Sequence, residues 1–109
     1  MAEKRIIEDG LRVIIHIPSA LRALTGNAHR VEVEAKTVGE ALNALLERFP
    51  AIERYIFDEQ RRLRSFVNIF INERDIRTLN GLETRLNDSD RILILPAIAG
   101  GRDGWRKYI

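Results

Sequence analysis

The start of the fold is rich in β-branched apolar residues. In residues 11–17, Val13, Ile15 and Ile17 share one face while Arg12, Ile14 and His16 share the other, which predicts a β-strand. Pro18 ends its pairing. The polar stretch ahead of it closes on Asp9-Gly10, a turn signal, so residues 1–10 read as an N-terminal arm. Residues 19–24 can form a helical turn, and Thr25-Gly26-Asn27 a loop. Val31-Glu32-Val33-Glu34 alternates again and predicts a second strand with Val31 and Val33 inward, paired with the first as a hairpin with a long connection.

The period then changes. Val38, Ala41, Leu42, Leu45, Leu46 and Phe49 fall at helical spacing and form one apolar stripe. Thr37 is placed to cap that helix, Glu40 completes a capping-box pattern, and Pro50 stops it. Residues 51–57 allow a further turn or short helix, and residues 58–64 read as a charged loop. Residues 66–71 predict a third strand, with Val67, Ile69 and Ile71 as its core face and Phe66, Asn68 and Phe70 outside. Asn72-Glu73 turns the chain, residues 75–79 suggest a short strand, and Asn80-Gly81 is another turn. After the turn residues Asn87-Asp88-Ser89-Asp90, residues 91–95 form the last strand, closed by Pro96. With Ile92 and Ile94 facing the helix, Leu93 and Leu95 face outward.

The order is β-β-α-β-β, with one helix available to cover a mixed sheet and a last strand that can pair in parallel beside the first. This predicts an α+β fold of β-grasp type: four to five strands packed on one main helix, over residues 11–96.

Composition changes the picture in three places. At 109 residues, 45% hydrophobic and 31% charged, the chain fits one globular domain. It has no cysteine, which excludes disulfides, zinc–thiolate sites, iron–sulfur clusters and thiol catalysis. Residues 1–101 carry 15 Lys and Arg against 15 Asp and Glu, so the formal charge of +2 falls entirely within residues 102–109. A neutral body with a basic tail argues against nucleic-acid binding. No apolar run nears the roughly 20 residues that span a bilayer, and the charged start lacks a signal-peptide core. The expectation is a cytoplasmic protein that binds neither membrane nor metal.

Candidate chemistry within the body is sparse. His16 and His29 have no nucleophile or acid placed by sequence to work with them and read as surface histidines. Arg61-Arg62-Leu63-Arg64 reads as a solvated loop, offset by Asp58 and Glu59. No nucleophile–base pair is visible, so the chain is not expected to be an enzyme. Leu93, Leu95, Phe66 and Phe70 would form an exposed apolar patch, the mark of a protein partner. Beyond the last strand, Ala97-Ile98-Ala99-Gly100-Gly101 is small and uncharged; then Arg102-Asp103-Gly104-Trp105-Arg106-Lys107-Tyr108-Ile109 changes character.

Gly-Gly just after a terminal apolar strand, behind this β-β-α-β pattern, resembles the ubiquitin-like bacterial sulfur carriers of molybdopterin, thiamine and cysteine synthesis. The resemblance covers about residues 11–101. It is carried by Ile17-Pro18-Ser19-Ala20-Leu21-Arg22 with Thr25-Gly26, by Thr37-Val38-Gly39-Glu40-Ala41-Leu42, by residues 66–72 with Asp75-Ile76-Arg77, and by residues 94–101. The stretch from Phe66 to Arg77 looks most like the cysteine-synthesis branch. The resemblance implies that the carboxylate of Gly101 is adenylated with ATP by an activating enzyme. Sulfur then displaces AMP, leaving a thiocarboxylate that supplies a synthase, such as a cysteine synthase. Ala97, Ile98, Ala99 and Gly100 would thread a partner's channel, which small residues permit; five extended residues reach about 17 Å.

The chain departs from the family by continuing past Gly101. A carboxyl locked in a peptide bond to Arg102 cannot be adenylated, so residues 102–109 are expected to be a removable extension. The resemblance implies a JAMM-type zinc metalloprotease cutting the Gly101–Arg102 bond. Two other classes stay open: a ubiquitin-like modifier joined through Gly101 to lysines, and a non-reactive binding module anchored by Trp105 and Tyr108.

Overall fold

The computed structural model of the chain describes residues 11–96. The N-terminal arm, the Gly-Gly segment and the residues after it lie outside the described residues. Arg12–His16 forms β1 and Arg30–Glu34 forms β2, paired antiparallel with Val13 opposite Val33 and Ile15 opposite Val31. A 3-10 turn over Ser19–Leu24 fills their connection. Helix α1 spans Val38–Arg48. A 3-10 turn at Pro50–Ile52 then leads into the single-turn α2, Glu53–Ile56. Val67–Ile71 is β3, Arg74–Asp75 is β4 and Arg91–Pro96 is β5.

The five strands lie in the order β2-β1-β5-β3-β4. β5 is central; it runs parallel to β1, as the sequence pattern predicts, and antiparallel to β3. One main helix crosses one face of this mixed sheet, which is the β-grasp arrangement. Val38, Ala41, Leu42, Leu45 and Leu46 of α1 are buried against Val13, Ile15, Val31, Val33, Val67, Ile69, Ile92 and Ile94. Fully burying each large aliphatic side chain contributes about 1.5–3 kcal/mol, so this two-sided seam dominates stability.

Local chemistry sets the ends of α1. Thr37 Oγ1 accepts from the Glu40 N–H at 3.2 Å. The Glu40 carboxylate reaches one residue further back than a capping box requires, accepting from the Lys36 N–H at 2.9 Å. Phe49 ends the helix ahead of Pro50.

Residues 75–79 do not form the short strand that the sequence suggested. Pairing stops at Asp75, whose carboxylate accepts from the Arg77 N–H at 2.8 Å and starts a 3-10 turn over Ile76–Thr78 that drops Ile76 into the core. The third strand also begins at Val67, leaving Phe66 in the preceding turn. The charged loop is paired internally. Arg61 bonds to Glu53, and Arg62 lies 3.3 Å from Asp58. The N–H groups of Arg62 and Gln60 hold the Asp58 carboxyl below its usual range, the Arg62 bond contributing most.

Candidate docking face and tail root

β5 is fixed at its start from both sides. On the β1 side, Ile14 N–H donates to the Asp90 carbonyl, Arg12 N–H to the Asp88 carboxylate, and Ser89 N–H to the Arg12 carbonyl. On the β3 side, Asn72 donates to Asp90 Oδ1 at 2.8 Å and accepts from the Arg91 N–H at 3.0 Å. Asn72 can do this because it forms, with Glu73, a two-residue hairpin loop in which both φ angles are positive, 47° and 79°. The segment that begins at residue 97 therefore leaves from the best-anchored strand of the sheet.

Alternation along β5 divides its side chains as the sequence predicts: Ile92 and Ile94 are fully buried, whereas Leu93 and Leu95 are 38% and 43% exposed on the face away from α1. The registers build rows across that face. Phe70 stands opposite Leu93, Leu93 opposite His16, and His16 opposite Arg30; Asn68 stands opposite Leu95. Phe70 is half-buried and joins Leu93 and Leu95 along one open depression of about 1130 Å³. Phe66, 45% exposed, lines a separate hollow with Leu63 and Arg64. Arg77 pins the start of β3, donating to Asn68 Oδ1 at 2.6 Å and to the Val67 carbonyl at 2.8 Å.

His16 sits within the face. Burial first, then the charges of Arg91 and Arg30, hold its imidazole below the ordinary histidine value. Arg22, Arg30 and Arg91 line the same depression, a grouping that the sequence reading missed because its segment sums were neutral. The signal was available in the strand pairing, since placing β2 beside β1 brings Arg30 to His16. Gly101, Ala97, Ile98, Ala99, Gly100 and Arg102 lie outside the described residues. Among the described residues, no group of three or more His, Asp or Glu side chains could hold a metal ion, and no helix is long and apolar enough to cross a membrane.

The ThiS family model matches residues 15–101, from β1 through the second glycine. The chain belongs to the ThiS family. Among relatives of this ThiS-family chain is the sulfur carrier protein CysO of Mycobacterium tuberculosis, 36% identical over 93 residues, which span 84% of this chain and all of that one. The crystal structure of the Amycolatopsis orientalis BexX/CysO complex contains a chain that superposes with a TM-score of 0.74 at 37% identity, covering 82% of this chain and 99% of that one. The solution structure of small archaeal modifier protein 1 from Methanosarcina acetivorans gives a TM-score of 0.73 at 36% identity, covering 84% and 98%.

Proposed function

We propose that this ThiS-family chain is a sulfur-carrier protein, a protein cosubstrate rather than an enzyme. The observation that carries the reading is that the family match runs through Gly101, directly beyond the anchored central strand. Removal of residues 102–109 by a JAMM-type metalloprotease frees the Gly101 carboxylate. Its oxygen attacks the α-phosphorus of ATP in an adenylating enzyme, and pyrophosphate leaves. Sulfide equivalents from a sulfur donor then attack the acyl carbon; the bond to AMP breaks and a thiocarboxylate remains. That group is the nucleophile delivered to a sulfur-accepting synthase. Similarity to CysO favours cysteine synthesis over molybdopterin or thiamine synthesis. Leu93, Leu95 and Phe70 serve as the apolar docking patch, without Phe66, which lines a separate hollow, while Ala97, Ile98, Ala99 and Gly100 thread the partner's channel.

The test compares the full-length chain with a form ending at Gly101, each given the activating enzyme, ATP and sulfide. Intact mass should rise by the exchange of oxygen for sulfur only in the shorter form. Thiocarboxylate on a chain that still carries Ile109 would refute the cap. Failure of both forms, with Ile109 retained in the native host, would favour a non-reactive binding module. The likeness to an archaeal modifier supports a second reading, conjugation of Gly101 to lysines, which isopeptide-linked adducts would reveal.

A further inference from the structure

β1 and β5 run parallel with His16 opposite Leu93, so the end of β1 and the end of β5 lie at the same edge of the fold. The connection after β1 is folded tightly there. Ile17 N–H donates to the His29 carbonyl at 2.8 Å, and the N–H groups of Thr25 and Asn27 both donate to the Arg22 carbonyl. Arg22 Nε donates to the Ile17 carbonyl at 3.0 Å, which fixes the guanidinium beside the strand end. Arg30 is placed opposite His16 by the hairpin register, and Arg91 opposite Ile14 by the parallel one. Three arginines thus line the depression that holds Leu93 and Leu95: Arg22 and Arg30 at the end of β1, and Arg91 at the start of β5, where the one lining carboxylate, Glu73, belongs to the neighbouring hairpin. This is segregation rather than general basicity, because residues 1–101 carry equal numbers of positive and negative side chains.

Resting on the carrier reading, we propose that this arginine-lined face receives a carboxylate-rich segment of the adenylating enzyme that takes up the tail. The arginines steer that partner on arrival, and the leucines hold it. Charge opposes two other occupants. Residues 102–109 are themselves net positive, and a second copy would present the same arginines. A nucleic-acid backbone offers charge but no apolar surface for Leu93, Leu95 and Phe70.

The experiment measures association of the form ending at Gly101 with the adenylating enzyme of the same organism by stopped-flow. The wild-type on-rate should fall at least about tenfold between about 25 and about 250 mM salt. Arg30→Glu with Arg91→Glu should slow association at low salt by about tenfold or more and flatten the salt dependence. Arg54→Glu with Arg85→Glu makes the same change in net charge away from the face and should leave the rate near wild type. Leu93→Ala with Leu95→Ala should speed dissociation and keep the salt dependence. Wild-type binding that is insensitive to salt, equal effects of the two charge reversals, or tighter binding to a single-stranded RNA probe would overturn the proposal while leaving the carrier reading intact. No wild-type binding to the adenylating enzyme would overturn both.

Discussion

Two neighbouring residues of β5 test the face assignment directly. Ile94→Ala and Leu95→Ala delete equal numbers of carbon atoms one position apart on the same strand. Ile94 is fully buried between β3 and α1, so its loss costs about 2–2.5 kcal/mol of transfer free energy at ~0.8 kcal/mol per methylene-sized group. The cavity left behind raises this to about 3–4 kcal/mol, within the usual range for core truncations. At about 4–8 °C per kcal/mol for a domain of this size, the thermal midpoint should drop on the order of 15–25 °C. Leu95 keeps 43% of its surface in water and faces away from the core, so its truncation should cost about 0.5–1 kcal/mol. Urea unfolding followed by far-ultraviolet circular dichroism suits the measurement, because it reads the backbone of the sheet and of α1 directly. The urea dependence should be the same for both variants and wild type. Equal losses, or a larger loss for Leu95→Ala, would refute the alternation on which the docking face rests.

Thr37→Ala removes the acceptor for the Glu40 N–H and should cost about 1 kcal/mol, whereas Thr37→Ser should retain most of the cap; urea midpoints measure both. Glu73→Gly should raise the thermal midpoint, with a gain of up to about 1 kcal/mol, because Glu73 holds φ at 79° where glycine carries no Cβ penalty. His16 titrates lower in the folded chain than its ordinary 6.5, so the unfolded chain takes up its proton first. Its contribution is therefore complete above about pH 6.5 and is lost as pH falls from there through the folded value. His16→Gln should flatten the stability profile in that window, and an unchanged profile would exclude His16 as its source.

What was legible in the sequence was whatever local periodicity controls. The period-two pattern separated the two faces of β1 and placed the inward residues of β2 and β5, and Thr37 with Pro50 bracketed α1. Residues 75–79 misled because Ile76 and Leu79 have apolar character, yet Asp75 bonds its own neighbour's N–H and bends the backbone away from the ladder. That Asp, followed by residues able to turn, was the available warning. Arg77 was opaque for another reason: its acceptors, Asn68 and the Val67 carbonyl, reach it only through the hairpin. The arginine grouping likewise depends on long-range pairing. Arg22, Arg30 and Arg91 are scattered along the chain, and counting charges by segment averaged them away.

The central place of β5 has a mechanical consequence. Any partner that draws the C-terminal segment into a narrow channel pulls along the axis of this strand. β5 is bonded on one side to β1 and on the other to β3, and those bonds lie across or slanted to the strand direction. Tension therefore loads both ladders in shear, and their bonds must fail together rather than open one after another as in an unzipping edge. The hairpin carboxylate and amide contacts at Asp90 and Asn72 brace the end that would otherwise slide first. A tug on the tail thus reaches the whole body of the fold, which can be hauled toward a partner or back out of it without unravelling.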